Sequence, residues 1–213
     1  MKKKIIITGG LGYIGTELCK LYSGVSWNNR IVVVDNRFIS ERVNQIRNWN
    51  MEFVHGDILD KKLIDKYFKD ADIVHHLAGV TDVPRTQSES TNDKDEKIKL
   101  VAEEGTQNIL DAISNKCKII FPSTHVVYEG IEEVKNNISE DEDLKPVLSY
   151  SVSKAINEKQ LKKSGKNYVI LRLGSVYGYS TDTARIDIMP NLFSKITSQN
   201  GTIKLFAGGR QIK

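Results

Sequence analysis

A tyrosine and a lysine four residues apart, Tyr150 and Lys154, form the pair of side chains in this sequence best suited to moving a proton. Residues i and i+4 lie on the same face of a helix, so the two side chains are predicted to be neighbours. A phenol with a pKa of about 10 is a poor base at neutral pH, but a nearby ammonium favours its ionised form. Tyr150 is therefore a candidate general base. Alone, the pattern also occurs by chance, pairing an exposed lysine with a half-buried tyrosine.

A polar strand end strengthens the catalytic interpretation of this pair. The apolar run at 118–121 ends in Pro122, Ser123 and Thr124, and Tyr150 lies on the helix predicted to follow this fifth strand. A hydroxyl at the strand end and a phenol on the next helix are groups that could act on one substrate oxygen. Thr124 is therefore the third candidate.

A glycine-rich loop follows the first predicted strand and opens the first predicted helix. Gly10, Gly12 and Gly15 satisfy G-x-G-x-x-G, and Gly9, Gly12 and Gly15 satisfy G-x-x-G-x-x-G. Small residues are needed there because the chain must turn sharply, approach a pyrophosphate closely and pack the helix on the strand. The helix N-terminus supplies N–H groups to the phosphates. The loop predicts a dinucleotide site.

An acidic residue at the end of the second predicted strand supports this interpretation. Asp35 lies 20 residues beyond Gly15 (35 minus 15), the spacing at which a carboxylate meets the adenosine ribose. The same carboxylate would repel a 2′-phosphate, so NAD is favoured over NADP, although Arg37 keeps NADP open. Either feature alone often has a purely structural role, with the glycines forming a turn and Asp35 capping a loop.

Short runs of apolar and β-branched residues alternate with stretches of helical periodicity. The predicted strands are 5–8, 31–35, 52–55, 72–77, 118–121 and 168–173. The predicted helices are about 12–22, 60–69, 93–113, 150–164 and 187–199. The second and fifth runs are continuously apolar, as expected of central strands that helices cover on both faces. This alternation predicts an α/β fold with a doubly wound parallel sheet, the Rossmann fold.

The composition argues against several other classes of protein. Lys+Arg 31 against Asp+Glu 27 gives a net charge of +4 that is spread along the chain, so no nucleic-acid partner is indicated. No stretch approaches the roughly 18 apolar residues of a membrane span, and the apolar run at 5–7 is too short for a signal peptide. We therefore expect a cytoplasmic protein. Cys19 and Cys117 are predicted to be reduced packing residues, and no metal site is predicted.

The sequence resembles the extended short-chain dehydrogenases, a family that includes NAD-dependent nucleotide-sugar 4-epimerases, such as those of the UDP-glucose type, and dehydratases. The resemblance covers essentially the whole chain. It is carried by TGGLGYIG (8–15), IVVVDN (31–36), GDI (56–58), HHLAG (75–79), EGTQNIL (104–110), STHVVY (123–128), YSVSK (150–154) and LRLGSVYG (171–178). The resemblance implies NAD as the cofactor, a nucleoside-diphosphate sugar as the substrate, and a homodimer.

The resemblance also assigns binding roles to individual residues. Gly9, Gly12 and Gly15 would form the nucleotide loop, with Lys154 on the nicotinamide ribose. The other cofactor contacts would be Tyr13 and Ile14 at the pyrophosphate, Asp35 and Asn36 at the ribose, Asp57 and Ile58 at the adenine, and Leu77, Ala78 and Gly79 at the middle of the cofactor.

The same resemblance implies a catalytic trio. The Thr124 hydroxyl would hydrogen-bond the sugar oxygen that is oxidised, while Tyr150 removes its proton and hydride passes to the nicotinamide. Lys154 would lower the pKa of Tyr150. The implied reaction is epimerisation through a transient keto sugar, with no net redox change. A dehydratase or reductase of the same family, or a noncatalytic NAD-binding module, are the alternatives.

Several positions depart from the family pattern. The acid pair of the dehydratases is replaced after Thr124 by His125 and Val126, which disfavours a 4,6-dehydratase. His125 is expected to have a structural role. Ala102 and Ser175 each stand where the family has an asparagine, on the cofactor side and the substrate side respectively. Glu129 replaces a common glycine.

The C-terminal part of the sequence predicts a second region. Residues 1–178 are predicted to form the NAD-binding domain, and 179–213 the start of a substrate-binding region that is largely missing. The closing GGRQIK resembles the start of a motif whose arginine binds the substrate diphosphate, with Lys213 in the arginine position. We therefore expect a fragment of a longer enzyme, with cofactor binding and weak or absent turnover.

Overall fold

The computed structural model describes residues 2–80, 91–180 and 185–209, and its centre is one parallel sheet. The six strands are β1 (Lys4–Thr8), β2 (Arg30–Asp35), β3 (Glu52–His55), β4 (Ile73–His76), β5 (Lys118–Thr124) and β6 (Asn167–Leu173). Their order across the sheet is β3-β2-β1-β4-β5-β6, and every described pairing is parallel. The predicted doubly wound sheet is confirmed, and the order reverses between β1 and β4.

Helices connect these strands along the chain. The α-helices are α1 (Tyr13–Tyr22), α2 (Ser40–Asn48), α3 (Lys61–Phe68), α4 (Asn92–Ala112), α5 (Ser149–Lys163) and α6 (Met189–Ser198). Short 3₁₀ helices lie at Ser23–Asn28, His125–Tyr128 and Phe206–Gly209. Among the described residues, no helix combines the length and the apolar content that a membrane crossing requires.

Each face of the sheet has its own hydrophobic core. On one face, the apolar residues of β1 and β2 pack with Leu11, Cys19 of α1 and Val43 and Ile46 of α2. On the other face, Phe68 of α3, residues of α4 and residues of α5 pack over the strands. Strands β1 and β2 are buried along almost their whole length, because helices cover them on both faces. The carboxyl ends of these strands are thereby held at one edge.

The structure differs from the predicted elements in two places that matter for the site. Helix α2 was not predicted, because the segment SERVNQIRN is mostly polar and buries only Val43 and Ile46, three residues apart. Strand β5 runs on from the predicted end at residue 121 to Thr124, since 122–124 pair with 171–173 of β6. Pro122 lies within this ladder. The extension brings Thr124 to the carboxyl edge of the sheet.

The two cysteines pack inside the protein. Cys19 and Cys117 are free thiols and are fully buried. Burial raises the pKa of Cys19 to about 12 and that of Cys117 to about 11, so both thiols stay protonated near neutral pH. Among the described ranges, His, Cys, Asp and Glu side chains form no cluster suited to a metal ion.

Candidate active site

The glycine loop between β1 and α1 is folded tightly on itself. Gly9 has φ +67°, and a Cβ there would lie 2.8 Å from the backbone nitrogen of Ala78. A Cβ at Gly15 would lie 2.3 Å from the carbonyl oxygen of Gly9. The Gly12 N–H donates to that same oxygen at 3.0 Å. Side chains at Gly9 and Gly15 would therefore collide with neighbouring backbone atoms. The lack of side chains is also what a loop needs to approach a pyrophosphate closely.

The first turn of α1 suits an anion. Gly12 is the N-cap, so no side chain caps the helix, and the first turn contains no acidic residue. The helix begins at Tyr13, and its N-terminus carries partial positive charge. Together with the glycine cradle, which a Cβ would fill, this end of α1 fits the phosphates of a dinucleotide.

Asp35 is tied directly to the glycine loop. The residue is 5% exposed, and its Oδ2 accepts a hydrogen bond from the Leu11 N–H at 2.9 Å. Its Oδ1 accepts from the Arg37 backbone N–H at 3.0 Å and from Nε of the Arg37 side chain at 3.3 Å. The predicted spacing of loop and acid therefore corresponds to physical contact. Arg37, half-exposed, stands beside the carboxylate.

The predicted adenine and ribose residues meet at the end of β2. The Asn36 amide donates to Oδ2 of Asp57 at 2.9 Å, and Oδ1 of Asp57 accepts from the Leu59 N–H at 3.0 Å. Ile58, by contrast, is only 5% exposed and belongs to the core. Its carbonyl oxygen accepts from the Asn108 amide at 3.1 Å. Asp57 and Asn36 thus form the polar rim here, and Ile58 lies behind it.

The loop after β4 borders the glycine loop from the other side. The Ala78 N–H donates to Oγ1 of Thr8 at 3.0 Å, which fixes this loop to the end of β1. Leu77 and Ala78 are half-buried, and Gly79 has open space where a Cβ would point. The ends of β1, β2 and β4 therefore lie side by side at the point where the strand order reverses, the usual ligand position in such sheets.

Thr124, Tyr150 and Lys154 lie on the β5 side of the same edge. Thr124 is the last residue of β5 and is 8% exposed, and Tyr150 is the second residue of α5. The Lys154 ammonium lies 5.8 Å from the centre of the Tyr150 ring. It donates to the carbonyl oxygen of Pro122 at 2.9 Å and lies over the Phe121 ring. The predicted neighbour relation of Tyr150 and Lys154 is present.

Burial shifts the pKa values of both members of this pair. It raises the pKa of Tyr150 above its ordinary value, an effect that the positive charge of Arg185 partly opposes. Burial also lowers the pKa of Lys154 to about 8. The pKa of Tyr150 is thus raised, whereas the sequence predicted a lowered one. A lowered pKa stays a prediction for Tyr150 beside the positive charge of a bound nicotinamide.

Glu129 has a role that the sequence analysis missed. Its Oε1 accepts hydrogen bonds from the Val147 N–H at 2.8 Å, from the Leu148 N–H at 2.7 Å and from the Ser151 hydroxyl. Leu148 is the N-cap of α5, so Glu129 caps the helix that begins next to Tyr150. The signal available in the sequence was an acidic residue in the loop before a predicted helix. It was missed because 20 residues (149 minus 129) separate Glu129 from the start of α5.

The remaining predicted substrate residues lie on or beyond the loop after β6. Ser175 is exposed on that loop, and Lys213 lies outside the described residues. The loop is joined to α1, because the Tyr13 hydroxyl donates to the Gly178 carbonyl at 2.6 Å. Ser180 donates to Glu17 at 2.5 Å. Ile14 is 39% exposed on the first turn of α1.

His125 is held by the backbone of β6. Its Nδ1 lies 3.1 Å from the Leu173 carbonyl oxygen, which can only accept, so Nδ1 carries the proton of this hydrogen bond. This contact supports the structural role expected for His125.

Comparison with known proteins places these features in one family. The model of the NAD dependent epimerase/dehydratase family matches residues 5–213. The chain is 30% identical over 197 residues to a dTDP-D-glucose 4,6-dehydratase of Dictyostelium discoideum. It is 28% identical over 228 residues to a UDP-N-acetyl-alpha-D-glucosaminuronate decarboxylase of Bacillus cytotoxicus. These matches cover 83% and 100% of this chain.

A solved structure shows the same relationship. It is a UDP-glucuronic acid 4-epimerase of Bacillus cereus, a tyrosine-to-phenylalanine mutant in complex with NAD and UDP-4-deoxy-4-fluoro-glucuronic acid. The TM-score is 0.77 with 26% sequence identity, over 97% of this chain. The chain spans 44% of the dehydratase, 67% of the decarboxylase and 66% of the epimerase structure.

Proposed function

Because the chain belongs to the NAD-dependent epimerase/dehydratase family, we propose that it epimerises a nucleoside-diphosphate sugar through a transient keto sugar. The observation that carries this proposal is the position of Thr124, Tyr150 and Lys154 on the sheet edge that also bears the glycine loop and Asp35. Such a reaction requires a dinucleotide-binding site and a proton-transfer group at the same edge of the sheet.

Three side chains of this chain would carry the proton chemistry. Tyr150, as the phenolate, takes the proton of the sugar hydroxyl that is oxidised and later returns it. The Thr124 hydroxyl donates a hydrogen bond to the same sugar oxygen, and Lys154 stabilises the phenolate. The glycine loop and Asp35 would hold NAD, which would supply a reversible hydride acceptor for the sugar carbon, with the hydride returned to the opposite face of the keto sugar. Atoms and electrons then balance, with inversion at one carbon.

The proposed NAD seat consists of residues whose contacts are described above. The glycine loop and the first turn of α1, with Tyr13 and Ile14, would take the pyrophosphate. Asp35 and Asn36 would hold the ribose, Asp57 the adenine edge, and Leu77, Ala78 and Gly79 the middle of the cofactor. Ile58 would contribute through packing behind this rim, since its side chain is buried.

The substrate class is inferred from the three relatives described above, whose names are those of enzymes that act on nucleotide-activated sugars. Ser175 on the loop after β6, and Lys213 beyond the described residues, are the proposed substrate contacts apart from Thr124. The division into a cofactor domain (1–178) and the start of a substrate region (179–213) remains a prediction, as do the homodimer and the cytoplasmic location.

A dehydratase or a reductase of the same family is the second candidate, because one relative is a dehydratase. His125, in the position that follows Thr124, is bonded to the Leu173 carbonyl, and Val126 next to it has no acid–base group. Neither replaces the acid pair that elimination of water needs, so epimerisation is favoured. A noncatalytic NAD-binding module is opposed by the presence of the complete catalytic trio.

The test begins with calorimetric titration of the 213-residue chain with NAD and with NADP. UDP-sugars and dTDP-sugars follow in the presence of NAD, with chromatography of the products. We expect preferential NAD binding and, in line with the weak turnover expected of this chain, only slow formation of an epimerised sugar with no accumulated NADH. In Tyr150→Phe, turnover should fall by about 10²- to 10⁴-fold while NAD binding is kept. Unchanged turnover in Tyr150→Phe, or net conversion to a dehydrated or reduced sugar, would contradict the proposal.

A further inference from the structure

A continuous line of buried hydrogen bonds crosses the sheet beneath the proposed cofactor seat. The Ala78 N–H donates to Oγ1 of Thr8 at 3.0 Å, and this oxygen lies 3.1 Å from Nδ1 of His76. The His76 Nε2 lies 3.0 Å from Oγ1 of Thr106, which accepts from the Asn157 amide at 3.1 Å. The line thus joins the loop after β4 to β1, β4, α4 and α5 in turn.

Each side chain in this line is shielded from water. Thr8 and Thr106 are 0% exposed, His76 is 1% exposed and Asn157 is 3% exposed. A buried polar group that loses its partner is strongly destabilising, so the four side chains depend on one another. In this setting a hydrogen bond has few competing partners and can fix a geometry.

The imidazole at the centre of the line is neutral. Burial, reinforced by the positive charge of Lys154, lowers the pKa of His76 to about 3. A neutral imidazole donates a hydrogen bond at one ring nitrogen and accepts one at the other. His76 therefore donates to one of the two threonine hydroxyls and accepts from the other. His76 therefore connects Thr8 to Thr106 without bringing a second charge near Lys154.

The two ends of the line lie on the two halves of the proposed site. Ala78 belongs to the loop proposed to hold the middle of the cofactor. Asn157 lies on α5, the helix of Tyr150 and Lys154, and its amide also donates to the Ala102 carbonyl of α4 at 2.8 Å. In the described part of the chain, this line of buried hydrogen bonds therefore joins the loop after β4 to helix α5.

We propose that Thr8, His76, Thr106 and Asn157 form a positioning network that fixes the loop after β4 relative to helix α5. The network sets where the cofactor lies with respect to Tyr150 and Lys154, although none of its four side chains is proposed to touch a reacting atom. Its effect on catalysis rests on the proposed function. Its effect on hydrogen exchange of the Ala78 amide does not, and its effect on NAD affinity rests only on the proposed contact of the loop after β4 with NAD.

The test compares two substitutions at one position. Thr106→Val keeps the volume of the side chain but removes the hydroxyl, and Thr106→Ser keeps the hydroxyl but removes a methyl group. We expect Thr106→Val to speed hydrogen exchange of the Ala78 amide, measured by NMR, and to raise the NAD dissociation constant, each by about tenfold. Thr106→Ser should stay within about twofold of the wild type for both quantities. If Thr106 acted only through packing, Thr106→Ser would change both quantities more than Thr106→Val.

A second variant tests transmission from the far end of the network. Asn157→Leu should speed hydrogen exchange of the Ala78 amide, although Asn157 lies on α5 and Thr106 on α4. Lys166→Met is the control, because Lys166, in the turn after α5, also joins this segment to the end of α4, through the Ile113 carbonyl at 2.7 Å, and hydrogen-bonds to none of the four network side chains. If Thr106→Val folds poorly, the comparison of Asn157→Leu with Lys166→Met decides the question alone.

The outcomes separate this proposal from the proposed function. The proposal would be overturned if both Thr106→Val and Asn157→Leu kept the wild-type rate of Ala78 amide exchange and the wild-type NAD affinity. Where turnover is measurable, the network predicts a lower kcat in Thr106→Val with the sugar KM unchanged. A wild-type protein that binds NAD but converts no nucleotide sugar would contradict the proposed function and leave the NAD and exchange comparison valid.

Discussion

The Asp35 carboxylate accepts a hydrogen bond from the backbone N–H of Leu11 at 2.9 Å, so the acid at the end of β2 also holds the glycine loop in place. With its other oxygen it binds Arg37. Asp35 therefore has two roles, one in the shape of the loop and one in the charge that a cofactor ribose would meet.

Replacement of Asp35 by serine should weaken NAD binding and reduce discrimination against NADP. We expect the NAD dissociation constant to rise by about tenfold or more, because a charge-assisted acceptor is lost. NADP should gain relative to NAD, since the repulsion of a 2′-phosphate is removed and Arg37 is released. Calorimetry with both cofactors measures the change. Asp65→Ser, at an exposed position on α3, is the control, and an unaltered NAD to NADP ratio in Asp35→Ser would contradict the assignment.

A methyl group at Gly15 should destroy the nucleotide seat. Its Cβ would lie 2.3 Å from the Gly9 carbonyl oxygen and 2.7 Å from Cα of Gly10, so the loop must open. Gly15→Ala is expected to lose measurable NAD binding and to unfold at a lower temperature. Gly24→Ala is the matched control, because no atom lies within 4 Å of its Cβ position. Equal NAD affinity in the two variants would show that the loop geometry is not required.

Lys154 should make stability depend on pH in the alkaline range. Its pKa is lowered from 10.5 to about 8 by burial, so between these values the unfolded chain binds more protons than the folded protein. The free energy of unfolding should then rise as pH increases from about 8 to 10.5, by up to about 3 kcal/mol. Below about pH 8 the full burial penalty is present.

The Lys154→Met variant isolates this effect from the titration of other groups. Denaturant unfolding of wild type and variant across the same pH range should give curves that converge or cross as pH increases. Parallel curves would show that the Lys154 ammonium is not destabilised by the fold.

Loss of the Glu129 carboxylate should loosen the start of α5. Glu129→Ala removes the acceptor of the Val147 and Leu148 N–H groups, which should lower the free energy of unfolding by about 1 kcal/mol. Hydrogen exchange of the Leu148 amide should accelerate as well. Glu133→Ala, an exposed glutamate in the following segment, should change neither quantity. Equal exchange at Leu148 in the two variants would rule out the cap.

The parts of the site that depend on local spacing could be predicted from the sequence. The glycine loop and Asp35 lie close in the sequence to the strand ends that place them, and Tyr150 and Lys154 share one helix face. Apolar runs predicted the sheet, because strands that helices cover on both faces consist mainly of apolar residues.

Other features depend on contacts between distant parts of the chain. Helix α2 was missed because its apolar residues are few, and its packing on the sheet supplies most of its stability. The burial of the Ile58 side chain depends on the distant Gly105, which has no side chain and leaves room for it. The expected position of Ile58 at the adenine stays a prediction. The His76 network joins residues far apart in the sequence, and no local pattern marks such pairs.

The hydrogen bond between Tyr13 and Gly178 has a consequence for biosynthesis. It closes a loop of 165 residues, so it cannot form until nearly the whole described chain has left the ribosome. The first strands and α1 emerge long before the loop after β6 is translated. Until then α1 lacks this contact, and the loop after β6, the last strand among the described residues, supplies it.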